Sequence, residues 1–306
     1  MSGDEIRYVY IMGRAHSGTT ILDCLLDNIE GIQGCGELAV GLPRLSEAPD
    51  DLPPGAFSFW DQVQTDYKSQ NHDIEWDEAV RATYRHAHVF NLPATWMKSQ
   101  DTPMLKKVVK SAIYISQSIR NISKNSVVVD SSKELSRGIL LSRFNENARI
   151  IHLTRDPTKV AASTLHRIRN RHGFRFMRRN FKSKLLEPLF IAVCSVGWLV
   201  GNYICEIAKK RYQDKFLTVK FEDLTYDPDS TLRDIGKHIE KDTKGVRTSI
   251  EKSESINVGN QISGNKILDK DELFFKSTDK RRLPYFYKLI CNLITMPLLK
   301  KYGYRE

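Results

Sequence analysis

The sequence predicts an α/β fold in three layers, a parallel sheet flanked by helices. Three observations predict it. Short apolar runs bounded by polar or Gly residues alternate with longer stretches of helical periodicity, the pattern of a sheet covered on both faces. Residues 8–28, YVYIMGRAHSGTTILDCLLDN, read as a buried strand, a small-residue loop and a helix in immediate succession. Polar clusters then recur just past the ends of predicted strands, where open parallel sheets hold their ligands. With 306 residues, the chain is expected to form one domain over 1–306, with an insertion at about 43–125 building a lid and a substrate pocket.

The elements follow in order. Residues 8–12 are largely apolar and end at Gly13, which marks a buried strand. Ile21, Leu22, Leu25, Leu26 and Ile29 recur at helical spacing. Residues 31–37 are a Gly-rich turn ending in the carboxylate of Glu37. Residues 50–70 are rich in Pro, Asp and aromatic side chains and read as an irregular lid. Residues 75–90 and 104–122 carry helical patterns. The α/β alternation then resumes, with strands at 126–130, 149–153 and 216–220. Helices are expected at about 135–143, from Pro157, at about 185–211 and from Pro228 to about Ile239; Pro suits a first helical turn. Residues 189–205 lack any charge over 17 positions, near the lower limit for a membrane span. Ser195, Gly197, Gly201 and Asn202 within them favour a buried core helix. Residues 283–299, broken by Lys288, Asn292 and Pro297, read as a packed or interfacial helix.

Composition narrows the function classes. The chain is 41% hydrophobic and 27% charged, which is ordinary for a globular protein. The formal charge of +10 points to anionic partners. The five cysteines are scattered without a CxxC pair, so neither a zinc site nor a disulfide frame is expected, and no metal. The acidic start, entering a strand at once, reads as lacking a signal peptide, and a cytoplasmic location is the expectation.

The loop at 13–20 carries the strongest signal. Loop amides and the positive end of the following helix converge on one anion in such a unit. Gly13-x-x-x-x-Gly18-Thr19-Thr20 matches a P-loop except that Thr19 replaces the lysine. That lysine reaches the outer phosphates of a nucleoside triphosphate, so its absence argues for a nucleotide with a shorter 5′ group. Residues 167–184 hold eight Lys or Arg and no acid. Such a run is a solvated face, a contact for an anionic acceptor, or a contact for an anionic membrane surface.

Five segments, in order, resemble the sulfotransferase family that uses 3′-phosphoadenosine 5′-phosphosulfate. HSGTT at 16–20 resembles its 5′-phosphosulfate loop. LTRDPTKVAAST at 153–164 resembles its 3′-phosphate motif. VKFEDLTYDPDSTLRDI at 219–235 resembles its late strand and helix. SGNK at 263–266 resembles its Gly-Asn-basic loop, and KKYGY at 300–304 a common ending. The likeness is closest to the tyrosylprotein and Golgi-type branch and its bacterial relatives. There a basic P-loop residue precedes a catalytic glutamate by 21 positions, as His16 precedes Glu37 here, and PRL at 43–45 also fits.

The resemblance implies a P-loop NTPase-like fold with a helical insertion after the first βα unit. It implies a sulfotransferase bound to that donor and releasing adenosine 3′,5′-bisphosphate. Glu37 is then the general base, with His16, Arg14 and Lys133 candidates to stabilise the leaving group. Arg14, Ala15, His16, Ser17, Gly18, Thr19 and Thr20 would line the 5′ end. Arg155, Ser163 and Arg167 would hold the 3′-phosphate, and Phe221, Gly264, Asn265 and Lys266 would complete the nucleotide site. The sequence departs from the family's pattern in three places. His16 stands for Arg or Lys, Asp130-Ser131-Ser132-Lys133 stands for Asp-Lys-Ser, and Asn260 stands for His in the late loop. The implied partner is a hydroxyl acceptor, an anionic one included, rather than a nucleic acid. A glycan, a glycolipid, a small alcohol or phenol, and a tyrosine all remain open. The competing readings are a P-loop kinase-like enzyme, which lacks its lysine, and a basic nucleotide- or nucleic-acid-binding module, whose affinity would collapse with salt.

Overall fold

A computed structural model of the chain describes residues 7–47, 52, 55–85, 103–170, 181–264, 268, 272–275 and 281–304. Five parallel strands form its sheet in the order β2-β3-β1-β4-β5. They are β1 (Tyr8–Gly13), β2 (Ile32–Gly34), β3 (Val127–Lys133), β4 (Ala148–Thr154) and β5 (Phe216–Lys220). β1 lies at the centre between β3 and β4, and all six of its residues are buried. A strand with helices over both faces needs apolar side chains on both, which is why it reads as a continuous apolar run rather than an alternating one.

The helix α1 (Thr19–Asp27) returns the chain from β1 and packs Leu22, Leu25 and Leu26 into the main core with Val9, Ile11, Val129 and Ile151. Between β2 and β3 lie α2 (Leu38–Glu47), α3 (Ala56–Ser69), α4 (Trp76–Arg85) and α5 (Pro103–Ser123). They share a second core around Trp60, Tyr67, Trp76, Ile115 and Ile119. After β3 come α6 (Leu135–Phe144), β4, α7 (Pro157–Asn170) and the long α8 (Phe181–Arg211). β5 leads into α9 (Phe221–Tyr226), α10 (Pro228–Ile239) and α11 (Lys244–Glu251). A small antiparallel pair, β6 (Ser255–Asn257) with β7 (Glu272–Phe274), and α12 (Tyr285–Leu299) close the chain.

Four sequence readings need correction. The stretch read as an irregular lid holds α3, because Ala56, Trp60, Val63 and Tyr67 are buried at helical spacing behind the Pro-rich start. The Gly-rich turn contains a short edge strand, β2, paired with β3, and Pro43 lies inside α2. β3 runs past Asp130 to Lys133: Tyr10 pairs with Asp130 and Met12 with Lys133, so β3 spends one residue more than β1 over the same stretch. That bulge re-aims the residue after it. Finally, residues 189–205 are only half a core helix. Ile191, Ser195, Trp198, Asn202 and Cys205 are buried, whereas Leu189, Val193, Val196, Val200 and Tyr203 are exposed. The C-terminal part of the 75–90 helix lies outside the described residues.

Candidate active site

The loop after β1 opens at the carboxyl end of the central strand, where β1 is flanked by β3 on one side and β4 on the other. Its conformation is one that few residues adopt. Gly18 has φ 94° and His16 has φ 69°, both in the left-handed region. A Cβ on Gly18 would lie 2.3 Å from the Phe221 ring, and one on Gly13 would lie 2.5 Å from the Leu153 carbonyl. The loop turns back through a Ser17 N–H bond to the Arg14 carbonyl of 3.1 Å, and α1 starts at Thr19. Thr19 and Thr20 are buried; Ala15 is exposed. Ser17 Oγ is buried and has no hydrogen-bond partner. A buried hydroxyl without a partner is costly, and beside a helix N-terminus its natural complement is an anion. An anionic group therefore fits the residues present.

β4 and α7 bring the second group. Arg155 is buried and donates from Nη1 to the His16 carbonyl at 2.9 Å. Its guanidinium lies 4.5 Å from the centre of the Phe221 ring. Phe221 thus walls the loop between Gly18 and Arg155. Trp198 of α8 donates from its indole to the Arg155 carbonyl at 2.9 Å, which fixes the start of α7 from behind. Ser163 Oγ lies 3.3 Å from His16 Nδ1. Burial, then the charges of Arg167, Lys133, Arg281 and Arg155, holds the His16 imidazole down to about 4. It is therefore a neutral ring at pH 7 in the ligand-free chain.

The third group forms around Glu37. Its N–H donates to the Ser263 carbonyl at 2.8 Å, and its carboxylate is ion-paired with Lys133 Nζ. Both side chains are mostly covered. Lys133 adopts φ 72° directly after the β3 bulge. The bulge is pinned by a buried network. Asp130 accepts from Ser132 N–H (2.9 Å), Tyr8 Oη (2.8 Å) and Arg137 Nε (2.9 Å), and Ser132 Oγ accepts from Ala39 N–H at 3.0 Å. The extra residue of Asp-Ser-Ser-Lys is thus absorbed in the backbone, and the ammonium still reaches the centre of the site. On the other side Asp23 accepts from Gly36 N–H at 3.0 Å and Asp27 accepts from Gly34 N–H. Burial pushes the Asp27 carboxyl up to about 7 and also raises that of Asp23. These two carboxyls of α1 hold the turn that launches Glu37.

The late loop arrives from the same side. Ile262 N–H donates to the Cys35 carbonyl at 2.9 Å, and a Cβ on Gly264 would lie 3.0 Å from Thr20 Cγ2. Gly264 thus sits on the cradle; Asn265 and Lys266 lie outside the described residues. Arg14 takes another direction. Its side chain lies over α8, where Cβ atoms on Gly197 and Gly201 would come within 3.0 Å and 2.8 Å of it. Next to Lys133, Glu134 is held up to about 7, first by burial, against the pull of Arg14 and Lys133.

The structure thus brings His16, Ser17, Thr20, Glu37, Lys133, Arg155, Ser163, Arg167, Phe221 and Gly264 to one region. Four contributors were missed from sequence. Arg281 had only the signal of a Lys-Arg-Arg cluster before α12, and Trp198 had none. Asp23 and Asp27 were legible as the two acids of an otherwise uncharged helix, TTILDCLLD. No cluster of metal-ligating side chains occurs among the described residues.

Comparison with known proteins follows the same lines. The profile of the sulfotransferase family matches residues 9–244. The solved sulfotransferase domain from the curacin biosynthetic pathway is 14% identical over 97% of this chain and 98% of its own, with a TM-score of 0.52. A sulfotransferase from Mycobacterium avium is 12% identical over 98% of this chain and 77% of its own, with a TM-score of 0.50. The sulfotransferase domain of the Synechococcus PCC 7002 olefin synthase is 17% identical over 100% of this chain and 98% of its own, with a TM-score of 0.47. The first two share the fold of this chain. No curated protein matches it in sequence.

Proposed function

The chain belongs to the sulfotransferase family, and from that premise we propose that it moves a sulfuryl group from 3′-phosphoadenosine 5′-phosphosulfate to an acceptor hydroxyl. The observation that carries the donor assignment is the gathering of Arg155, Arg167, Lys133 and Arg281 around a neutral His16, beside a loop with no P-loop lysine. Four cations bearing on one ring give this place a positive potential that favours an anion. A phosphate on the ribose and a charged group at the 5′ end supply it without a magnesium ion.

When bound, the donor supplies the activated sulfuryl group and leaves as the bisphosphate. The chain's own residues bind, orient and move one proton. Ser17 Oγ, Thr19, Thr20 and the loop amides would hold the 5′ end, with the α1 N-terminus adding favourable charge. Arg155, Ser163 and Arg167 would hold the 3′-phosphate. Phe221 backs Arg155 and keeps its guanidinium aimed at the loop.

Glu37 takes the proton of the attacking hydroxyl, a role worth about 10²–10⁴-fold. Its ion pair with Lys133 sets an order for this step. Lys133 would turn from this carboxylate toward the negative charge that develops on the leaving oxygen. The same movement frees Glu37 and stabilises that charge. Arg14, lying on α8, contributes at longer range.

Calorimetry with adenosine 3′,5′-bisphosphate, without magnesium, tests the assignment. Arg155→Ala should lose most of the affinity. Glu37→Gln should keep it and lose turnover with labelled donor. A chain that binds magnesium-ATP and ignores the bisphosphate would overturn the reading. A glycan, a glycolipid, a small alcohol or phenol, and a tyrosine are the acceptors to screen.

A further inference from the structure

The outer faces of α8 and α12 carry a pattern that the donor site does not use. On α8 the exposed residues Leu186, Leu189, Val193, Val196, Val200, Tyr203 and Ile207 recur at alternating spacings of three and four. They form one stripe along about 33 Å of helix. On α12 the exposed Phe286, Leu289, Leu293 and Met296 repeat the same spacing. The two helices pack on each other and on α7 through their opposite faces, with Ile191 and Cys291 sharing a core with Ala161 and Leu165. The stripes are therefore surplus to the fold, and together they exceed the scattered apolar exposure that is normal for a soluble surface.

The charges around the stripes identify what covers them. α8 and α12 contain only two acids, Glu187 and Glu206. Glu187 is paired with Arg169 and accepts from Tyr287; Glu206 is paired with Lys301 and accepts from Tyr302. The ends of the helix pair are basic and exposed: Lys210 and Arg211 close α8, Arg282 and Lys288 stand at the start of α12, and Lys300 follows it. A second copy of the chain pairing across this face would set positive ends against positive ends in either orientation. A transmembrane course is equally excluded for α8. Its buried face holds Trp198 and Asn202, whose hydrogen bonds run to Arg155 and His152 in the core.

We propose that the α8–α12 face docks on an anionic lipid surface, with the two stripes in the interface and the basic ends against headgroups. An apolar face with Lys and Arg at its ends, Tyr203 within it and the exposed Tyr285 beside it, is the composition that such surfaces select. Docking and donor binding share one helix, since the opposite face of α8 carries Trp198, which holds Arg155. The proposal does not depend on the sulfuryl-transfer reading.

Flotation of the full chain with phosphatidylcholine vesicles, with and without phosphatidylglycerol, tests it. The wild-type chain should float with the anionic vesicles, lose most binding on neutral ones, and be stripped by high salt with alkaline carbonate. Leu189→Glu with Leu293→Glu, both exposed positions, should reduce partition at least about tenfold by removing apolar burial. Lys210→Glu with Arg211→Glu should reduce it about tenfold or more through charge alone. Bisphosphate affinity, measured on the same samples, should be unchanged in both variants, which separates failure of the surface from failure of the donor site. A chain that stays in solution with anionic vesicles would overturn the proposal. So would a dimer in solution that the Leu189→Glu, Leu293→Glu variant dissociates, because the face would then belong to a second copy.

Discussion

The protonation of His16 gives the site a measurable pH signature. In the donor-free chain, burial and four nearby cations hold this imidazole down to about 4, from an ordinary 6.5. Bisphosphate binding would place negative charge among those same cations and beside Ser163, whose Oγ is 3.3 Å from His16 Nδ1. The His16 pKa must then rise on binding, because an opposite charge favours the protonated ring. A group whose pKa rises on binding takes up a proton, so affinity strengthens as pH falls from 7 toward 5. Full recovery to 6.5 would strengthen binding about twentyfold between pH 7 and pH 5, and recovery of a single pKa unit about twofold. His16 is partly exposed, and solvent screening favours the lower part of that range.

The assay is titration calorimetry of the bisphosphate at pH 7, 6 and 5, in two buffers of different ionisation enthalpy, on wild type and His16→Gln. Phosphate itself titrates near about 6, so the quantity that counts is the difference between the two proteins. Wild type should take up more protons than His16→Gln and gain affinity relative to it toward pH 5. Equal proton uptake and parallel affinity curves would refute the placement of His16 beside the bound anion.

Three other outcomes follow from the geometry. Lys133→Met removes the partner of Glu37 and a cation for the leaving oxygen; kcat should fall about 10²-fold or more, with a smaller loss in bisphosphate affinity, in single-turnover assays against calorimetry. Gly18→Ala forces a Cβ into the Phe221 ring at a φ of 94°. It should cost about 1–3 kcal/mol in a urea melt and weaken bisphosphate binding, whereas Gly55→Ala, with nothing within 4 Å of the new carbon, should leave binding unchanged. Asp130→Asn strands the buried Arg137 guanidinium, whose Nε–Asp130 Oδ2 contact is 2.9 Å; a loss of about 3–5 kcal/mol is expected by chemical denaturation.

How much of the molecule was legible in the sequence depends on the range of the interaction concerned. β1, the cradle and α1 were readable because each rests on neighbours in the chain: a run of apolar residues, glycines where φ must be positive, and Leu at helical spacing. The later strands were readable for the same reason, whereas the Arg155–Ser163 pair was reached through the family resemblance of residues 153–164. α3 was hidden because the Pro and Asp residues before it outweighed four well-spaced apolar positions in a composition-based reading.

What the tertiary structure decided was direction. A bulge in β3, set by its register against β1, turned Lys133 toward a carboxylate 96 positions away in sequence. Gly197 and Gly201 of α8 gave Arg14 a bed and drew it along that helix, while Arg281 came in from the C-terminal segment to bear on His16. The face of α8 that stays uncovered was equally undetermined by its own residues, because a charge-free helix looks the same from either side until its partners have packed. Residue order sets what each segment is able to form, but side-chain aim and exposure belong to contacts made across the whole chain.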